Sequence, residues 1–312
     1  MSGRILVTGA NGFLGRHVCR DLLARGYAVR GSLRPGRPRE LAGVDYREVP
    51  PLAEMPDWRP HLEACDAVVH TAARVHIKAA PDAAERRRHL RENAEASADL
   101  ARQAHDMGVA RVVFISSIGA ERAARKAAGA ATPYQESKLQ AEEKLQRLHL
   151  ETGLEAVSLR PPMIYGPGAP GSFRQLERFL AAGLPLPLAA IANRRSFLYV
   201  GNLTDAVAAC LARPGLGGKV LAMSDGERHS TPDFVRLMAQ AMGRPARLWP
   251  FPPRLLHWGL SLLGRKGLAE ALTADLLIDN GPIAAAIDWT PRCSTAEGLA
   301  RCFQAPETGP GA

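Results

Sequence analysis

The sequence predicts an α/β fold, in which a doubly wound parallel sheet is followed by a smaller, mixed C-terminal lobe. Two observations predict it. From Arg4 to Arg160, short runs rich in β-branched residues alternate with amphipathic segments, a pattern typical of a parallel sheet covered by helices. After Pro161 proline and glycine become frequent, and helices and short strands mix without the earlier regularity.

The alternation places the individual elements. We predict strands at Arg4 to Thr8, Ala28 to Leu33, Ala67 to Thr71, Arg111 to Ser116 and Glu155 to Arg160. We predict helices at about Phe13 to Arg25, Ala83 to Met107 and Pro133 to Thr152. Between residues 34 and 60, eight prolines or glycines interrupt the pattern, and only a strand near Asp45 to Val49 is suggested there.

Three glycines, Gly9, Gly12 and Gly15, follow the first strand and open the first helix. This spacing lets the chain turn tightly and brings backbone N–H groups to a pyrophosphate at the helix N-terminus. The strand, turn and helix around it favour a Rossmann-type dinucleotide site over a purely structural turn. The other candidate cofactor-binding residues of this loop are Asn11, Phe13 and Leu14.

The end of the second strand indicates which dinucleotide binds. A carboxylate there would bind the ribose hydroxyls of NAD, but residues 27–37 contain no Asp or Glu. Arg34, with Ser32 and Arg37 near it, can instead pair with the 2′-phosphate of NADP. We therefore favour NADP(H); NAD(H) remains possible if Arg34 is an ordinary exposed cation.

The segment from Thr132 to Lys138 begins a helix, with Thr132 as N-cap, proline next and Gln135 completing a capping box. Tyr134 and Lys138 then lie four residues apart on one helix face. A phenol has a pKa near 10. A neighbouring ammonium and a positive nicotinamide would lower that pKa, so Tyr134 is a candidate general acid and base. The alternative is that Tyr134 and Lys138 are an ordinary pair on the helix surface.

The candidate pair also follows a strand that ends in a serine pair, Ser116 and Ser117, whose hydroxyl can bind a reacting carbonyl or alcohol.

Together these residues resemble the extended short-chain dehydrogenase/reductases, in the group of NAD(P)-dependent nucleotide-sugar epimerases and dehydratases. The likeness covers about residues 3 to 303, and the glycine loop, the Asp66 to Ala73 strand end, Asn93, the serine pair and Tyr134/Lys138 fall in the family's order. It implies that Ser117 is the active serine and that Lys138 also holds the nicotinamide ribose. The further cofactor contacts that it implies are Thr71, Ala72, Ala73, Asn93 and Pro161, and the substrate contacts are His76, Ser117, Met163 and Arg195, the last on a diphosphate.

Departures from the family pattern narrow the activity. Dehydratases place an Asp-Glu pair after the active hydroxyl residue, whereas Ile118 and Gly119 follow Ser117, so dehydration is not expected. Met163 stands where some 4-epimerases have asparagine. Pro50 and Pro51 replace the adenine-binding aspartate, and a second diphosphate arginine near Leu272 to Asp279 is not evident.

The resemblance implies an NADP(H)-dependent reductase acting at C4 of a UDP-linked 4-keto-hexosamine, in surface polysaccharide synthesis. A 4-epimerase that retains NAD and uses the same residues is the main alternative. Reduction of another small carbonyl, such as a steroid ketone, is a third reading that Arg195 disfavours. A non-catalytic NAD(P)-sensing protein is a fourth, disfavoured because the tyrosine and lysine are both present.

The domain prediction follows from the change after Pro161. Residues 1–160 form the cofactor domain, to which a return segment at about 193–222 is assigned. Residues 161–192 and 223–304 form the substrate lobe, and residues 305–312, with two prolines and two glycines, form a flexible tail. From the family we expect a homodimer formed through the helices at Ala83 to Met107 and Pro133 to Thr152.

Composition excludes other classes of protein. The chain has 312 residues, 46% of them apolar, so it can bury an ordinary core. Its longest apolar runs are shorter than the roughly 20 residues of a membrane helix, and the N-terminus lacks a leader pattern, so no membrane span and a cytoplasmic location are expected. Five widely spaced cysteines predict neither a disulfide framework nor a metal site.

The net charge of +9 suits an anionic ligand, or serves solubility alone. The densest basic run, Arg86 to Arg88, is interpreted as a solvated helix face because acids flank it and no aromatics interleave, so no nucleic-acid partner is expected.

Overall fold

Nine strands and thirteen α-helices make up the described part of the computed structural model, which covers residues 3–75, 82–125 and 131–304. The strands are β1 (Arg4–Thr8), β2 (Ala28–Leu33), β3 (Val44–Glu48), β4 (Ala67–His70), β5 (Arg111–Ile115), β6 (Glu155–Arg160), β7 (Ile164–Tyr165), β8 (Leu198–Tyr199) and β9 (Val220–Ala222). The first seven helices are α1 (Phe13–Ala24), α2 (Arg59–Leu62), α3 (Ala83–His89), α4 (Ala96–Asp106), α5 (Ile118–Ala124), α6 (Pro133–Thr152) and α7 (Ser172–Ala181). The others are α8 (Val200–Ala212), α9 (Thr231–Ala241), α10 (Pro253–Leu262), α11 (Lys266–Thr273), α12 (Gly281–Ile287) and α13 (Thr295–Phe303).

The chain forms two units. The first contains Met1–Pro162, Leu203–Met223 and Asn280–Thr290, and the second contains Met163–Asn202, Ser224–Asp279 and the residues from Pro291 onward. The predicted return segment at 193–222 thus differs in its start, and residues 280–290 group with the first unit instead of the lobe. Trp289 gives a reason, because its indole Nε1 donates to Asp205 Oδ2 at 3.0 Å. The predicted tail lies outside the described residues.

The first unit is built on a seven-stranded parallel sheet in the order β3-β2-β1-β4-β5-β6-β9. The fold-class prediction is confirmed. Predicted strands match β1, β2 and β6 residue for residue, while β4 and β5 each end one residue early. The strand order reverses between β1 and β4. Because these two strands pair in parallel, their carboxyl ends lie side by side, with Thr8 opposite His70. Ligands of such sheets bind at this reversal point.

Helices α4 and α6 cover one face of the sheet through a continuous apolar core. Leu6, Val68 and Phe114 from the strands and Leu100 and Leu145 from these helices are at most 1% exposed. Burial of apolar area is the main contribution that fixes the helices on the sheet.

The start of α6 confirms the predicted capping box. The Thr132 hydroxyl accepts from the Gln135 N–H at 3.3 Å, and Gln135 Oε1 accepts from the Thr132 N–H at 3.1 Å. The helix ends at Gly153, whose φ of 78° suits glycine.

The predicted helix from Ala83 to Met107 is three segments. Between α3 and α4 the chain takes a π-helical turn over Leu90–Glu95. Such turns insert one extra residue into a helix and occur often at functional sites.

The second unit is organised around a buried tyrosine, Tyr165 of the two-stranded parallel sheet β7-β8. Its hydroxyl donates to Asp225 Oδ2 at 2.7 Å, and Asn202 Nδ2 donates to Asp225 Oδ1 at 2.7 Å. Burial raises the pKa of Asp225 to about 6 against these hydrogen bonds. Rings of Phe173 and Phe234 pack on Tyr165.

Candidate active site

The loop after β1 is shaped by the three predicted glycines. Gly9 has a φ of +66°, and its carbonyl accepts from the Gly12 N–H at 2.9 Å, which closes the turn. A Cβ on Gly15 would lie 2.1 Å from the Gly9 oxygen, so only glycine fits there. Gly12 is the N-cap of α1 and makes no side-chain cap hydrogen bond. The helix start therefore offers backbone N–H groups to a phosphate, and the loop fits a dinucleotide.

The other predicted loop residues lie at the same helix start. Asn11, Phe13 and Leu14 are all partly exposed, and the Phe13 ring meets the His17 ring edge-on at 5.2 Å. Their contacts with a cofactor stay predictions.

The end of β2 carries the residues on which the cofactor prediction depends. Arg34 and Arg37 are exposed just beyond the strand. Ser32 differs from the expectation: it is buried, and its hydroxyl accepts from the Gly9 N–H at 3.4 Å. It therefore supports the glycine loop instead of facing a 2′-phosphate. Farther along, Glu40 forms an ion pair with Arg16 of α1, a contact that the sequence did not suggest.

The segment after β4 lies against the glycine loop. The Thr71 hydroxyl donates to the Thr8 carbonyl at 2.6 Å, and the Ala72 N–H donates to the Thr8 hydroxyl at 3.2 Å. Ala72 and Ala73 are partly exposed, and a Cβ on Gly9 would meet Ala72 at 3.1 Å. Thus two of the predicted cofactor segments adjoin each other. The predicted substrate residue His76 lies outside the described residues.

His70, at the end of β4, belongs to a buried polar chain behind this segment. The Ser97 hydroxyl donates to the Asn93 carbonyl at 2.6 Å, so it accepts from His70 Nε2–H at 2.8 Å. His70 Nδ1 then accepts from the Thr8 hydroxyl at 2.7 Å. Burial, aided by the nearby charge of Lys138, lowers the pKa of His70 to about 3. A neutral imidazole with both nitrogens engaged is structural.

Asn93 sits within the π-helical turn and is 1% exposed. Its Oδ1 accepts from the Arg74 N–H at 2.7 Å, and its Nδ2 donates to the Arg74 carbonyl at 2.9 Å and to Ser137 Oγ at 3.0 Å. The amide thus holds the segment after β4 and a serine of α6 together. The cofactor contact of Asn93 that the resemblance implies stays a prediction.

The predicted catalytic residues come together at the start of α6. Tyr134 hydrogen-bonds the Ser117 side chain. The Ser117 hydroxyl already accepts from the Gly119 N–H at 3.1 Å, so its own proton is available to the tyrosine oxygen. One turn on, Lys138 is buried, and its Nζ donates to the Ile115 carbonyl at 2.7 Å.

The pKa values differ from the expectation that the lysine lowers the pKa of the tyrosine. Burial raises the pKa of Tyr134 to about 12, against the hydrogen bond from Ser117 that lowers it. Burial also lowers the pKa of Lys138 to about 7, against the charge of Glu142 that raises it. The cause is common to both, since burial penalises the phenolate and the ammonium alike.

Sequence reasoning missed a buried ion pair one further turn along α6. Glu142 is 1% exposed and accepts from Arg160 Nη2 at 2.6 Å and from the Ser116 hydroxyl at 2.5 Å. Its position at i+4 from Lys138, inside a helix with a buried stripe, is the signal that could have revealed it. Ser116 is therefore turned into this pair, which leaves Ser117 as the serine at the tyrosine.

A second missed group borders Tyr134 from α3. Glu85 and His89 are both buried, with His89 Nε2 at 3.3 Å from Glu85 Oε1, and Arg74 also pairs with Glu85. The His89 ring meets the Tyr134 ring edge-on at 6.4 Å. The basic run that looked like a solvated face thus lies directly beside two inward-facing residues.

Pro161, the last predicted cofactor contact, is buried just after β6. Its carbonyl accepts from the Ile118 N–H at 2.9 Å and so holds the start of α5. Its cofactor contact stays a prediction.

The predicted substrate residues Met163 and Arg195 belong to the second unit. Met163 Sδ accepts from the Ser172 hydroxyl at 3.6 Å. Arg195 is 8% exposed, and its Nη1 donates to the Ala274 carbonyl at 2.8 Å. Their substrate contacts stay predictions.

Two kinds of feature are absent from residues 3–75, 82–125 and 131–304. No cluster of His, Cys, Asp or Glu side chains there is suited to a metal ion. No helix there has the length and apolar character needed to cross a bilayer.

Fold and site together define a nicotinamide-dinucleotide enzyme: a phosphate-binding glycine loop and a Ser, Tyr and Lys constellation on one Rossmann-type sheet. The comparison with protein families agrees. Residues 5–222 match the NAD dependent epimerase/dehydratase family, and the chain belongs to it, within the extended short-chain dehydrogenase/reductases. The family prediction and the prediction of an NAD(P)-dependent enzyme are confirmed.

Individual relatives are consistent with this. The chain is 31% identical to the UDP-glucose 4-epimerase of Vibrio cholerae, over 98% of this chain and 96% of that one. It is 26% identical to a 3-beta-hydroxysteroid dehydrogenase of Mycolicibacterium neoaurum, over 96% and 90%. The structure of UDP-glucuronic acid 4-epimerase from Bacillus cereus in complex with NAD has the same fold, with a TM-score of 0.74 at 19% identity, covering 96% of this chain and 95% of that one.

Proposed function

We propose that this chain is a UDP-sugar 4-epimerase that oxidises and re-reduces C4 of its substrate with a retained NAD. The observation that carries the proposal is the Tyr134–Ser117 hydrogen bond with Lys138 buried one turn away, in a chain related over nearly its whole length to a UDP-glucose 4-epimerase. The glycine loop would hold the pyrophosphate, and the segment from Thr71 to Ala73 would border the nicotinamide half. Nicotinamide, when bound, supplies a positive charge and exchanges hydride.

The chain's own residues would handle the proton and the oxygen. The Ser117 hydroxyl would hold the C4 oxygen by a hydrogen bond. Tyr134, as the phenolate that the positive charge of a bound nicotinamide would favour, would take the proton of the C4 hydroxyl during oxidation and return it during reduction. Lys138, fixed on the Ile115 carbonyl, keeps a positive charge beside the reacting groups when protonated. Asn93 and Glu142 hydrogen-bond other residues around the site, and we assign them positioning roles.

A second function, an NADP(H)-dependent 4-ketoreductase of a UDP-4-keto-hexosamine for surface polysaccharide synthesis, is favoured by one observation. Arg34 is exposed at the end of β2, a strand without a carboxylate. This arrangement suits a 2′-phosphate. The proton chemistry would be unchanged, but only the reductive half would occur.

The nucleotide content of the purified protein separates the two. Protein prepared without added cofactor is denatured, and the released nucleotide is identified by chromatography. Stoichiometric NAD, together with interconversion of UDP-glucose and UDP-galactose or of their N-acetyl forms, supports the epimerase. Protein that is empty, prefers NADPH to NADH and oxidises NADPH with a UDP-4-keto sugar supports the reductase. Turnover of steroid or aliphatic ketones alone would overturn both.

The catalytic assignment is tested by Tyr134→Phe, with Tyr27→Phe as the matched control. Loss of a general acid and base lowers kcat by about 10² to 10⁴. Cofactor binding stays within a few-fold, because the glycine loop is untouched. If Tyr134→Phe kept wild-type kcat, the assignment would be wrong, whatever the substrate.

A further inference from the structure

Large apolar side chains are exposed in one short stretch of the second unit. Within the described residues, ten large hydrophobic side chains are exposed, and five of them lie between positions 249 and 263. These are Trp249, Leu255, Trp258, Leu262 and Leu263. Helix α10 contains no buried residue. Such clustering marks an interaction surface, whereas scattered exposed residues need no explanation.

Helical spacing gathers these side chains on one side of α10. Leu255, Trp258 and Leu262 stand at i, i+3 and i+7, so they form one stripe, and Leu263 extends it into the turn that follows. The exposed fractions of these four side chains are 54% for Leu255, 64% for Trp258, 67% for Leu262 and 75% for Leu263. Helix α11 packs on α10, where His257 Nδ1 lies 3.3 Å from the Thr273 hydroxyl. One face of α10 therefore packs against α11, and the stripe lies on a face that is exposed to solvent.

The residues that flank the stripe are basic, and the nearest carboxylates in the sequence are Asp233 and Glu270. Residues 234–269 contain six Lys or Arg and no Asp or Glu, a large share of the chain's net charge of +9. Arg254 precedes the stripe, and Arg265 and Lys266 follow it; all three are exposed. In the part of the chain that the structure describes, none of these three forms an ion pair.

We propose that α10 and the turn after it dock this unit on a membrane surface that contains anionic lipids. A helix with Trp and Leu on one face and basic residues beside it lies in the interface, with its apolar side at the boundary of headgroups and acyl chains. Trp258, Leu262 and Leu263 enter that boundary. Arg254 and the Arg265/Lys266 pair meet the lipid phosphates.

Charge argues against a second copy of the chain as the occupant. A two-fold contact places the same patch of each copy face to face. Since α10 holds no carboxylate and Arg254, Arg265 and Lys266 flank its stripe, such a contact would bring three cations of one copy to the same three of the other. An anionic lipid surface removes this repulsion. The proposal is independent of the reaction that the enzyme catalyses.

The test is cosedimentation of the full-length protein with phosphatidylcholine vesicles, with and without phosphatidylglycerol. We expect the protein to pellet with the anionic vesicles and to be released by high salt. Tryptophan emission should shift to the blue on binding. That shift reports on Trp249 and Trp258, because Trp58 and Trp289 are 1% and 3% exposed and already dry.

Variants locate the binding. Leu262→Glu should reduce vesicle affinity at least tenfold, and Arg265→Gln combined with Lys266→Gln should reduce it by about 25-fold on anionic vesicles, at about fivefold for each cation. Leu150→Glu, in α6 and 84% exposed, is the matched control and should bind as wild type does. Equal melting temperatures show that all variants are folded.

Three outcomes overturn the proposal. One is an absence of pelleting with anionic vesicles. Another is pelleting that the α10 variants leave unchanged. The third is self-association without lipid, measured by analytical ultracentrifugation, that Leu262→Glu abolishes, since it would make the stripe a contact between copies.

Discussion

Replacing Gly15 by alanine tests the shape of the glycine loop. The added Cβ would lie 2.1 Å from the Gly9 oxygen, 2.8 Å from the Gly9 carbonyl carbon and 2.9 Å from the Ala10 Cα. All three are backbone atoms, so no side chain can rotate away. Relief of the shortest contact requires the start of α1 and the loop to separate by about 1 Å.

Two losses should follow from Gly15→Ala. Overpacking of this kind costs about 1 to 3 kcal/mol of folding free energy. The displaced N–H groups would also lose a hydrogen bond to a charged phosphate, worth about 1.5 to 3 kcal/mol, so cofactor affinity should fall by about tenfold to a hundredfold. Denaturant unfolding measures the first loss, and calorimetric titration with NAD and NADPH measures the second.

Gly12→Ala is the matched variant within the same loop. Its Cβ would meet only the Gly9 oxygen, at 3.1 Å, and the φ of −75° at Gly12 suits any residue. Gly12→Ala should therefore cost little stability. It should still weaken cofactor binding, because its side chain would stand where the loop backbone approaches the pyrophosphate. If Gly15→Ala had the same stability in denaturant and the same cofactor affinity as the wild type, the steric reasoning would be refuted.

Three other changes test the surroundings of the site. Glu142→Gln removes the charge that raises the pKa of Lys138, so this pKa should fall below about 7. Because the pKa of a free lysine is near 10.4, the unfolded state binds more protons above pH 7 and stability rises with pH there. The rise should start at a lower pH in Glu142→Gln but not in the exposed control Glu143→Gln, as unfolding at a series of pH values will show. Thr132→Ala loses the cap of α6 and should cost about 1 kcal/mol in denaturant unfolding. Gly298→Ala would place a Cβ 2.6 Å from a buried tyrosine oxygen and should cost about 1 to 3 kcal/mol; an unchanged midpoint would contradict that packing.

Local rules explain how much the sequence could predict. The strand ends, the glycine loop and the cap at Thr132 depend on residues within a few positions of each other. The family's spacing of Tyr134 and Lys138 likewise needs only one helical turn. These features were predicted at or within one residue of their positions in the structure.

Contacts between segments that are distant in the sequence could not be predicted from such local rules. The pairing of Glu142 with Arg160 needs α6 to lie on β6, and the sequence gives no distance across the sheet. Burial was underestimated for the same reason. Lys138 was expected to act on Tyr134 as a charge, but burial lowers the pKa of Lys138 to about 7 and so reduces that charge at neutral pH.

The π-helical turn at Leu90–Glu95 changes the direction in which the side chains of α4 point relative to those of α3, although the helical stretch is continuous. One extra residue rotates everything after it by about 100° relative to an unbroken α-helix. The α3 face that carries Glu85 and His89 can thereby lie beside Tyr134, while Ser97 and Leu100 of α4 pack against the sheet. A deletion of one residue from this turn would restore regular winding and leave one of the two faces pointing at the wrong neighbour.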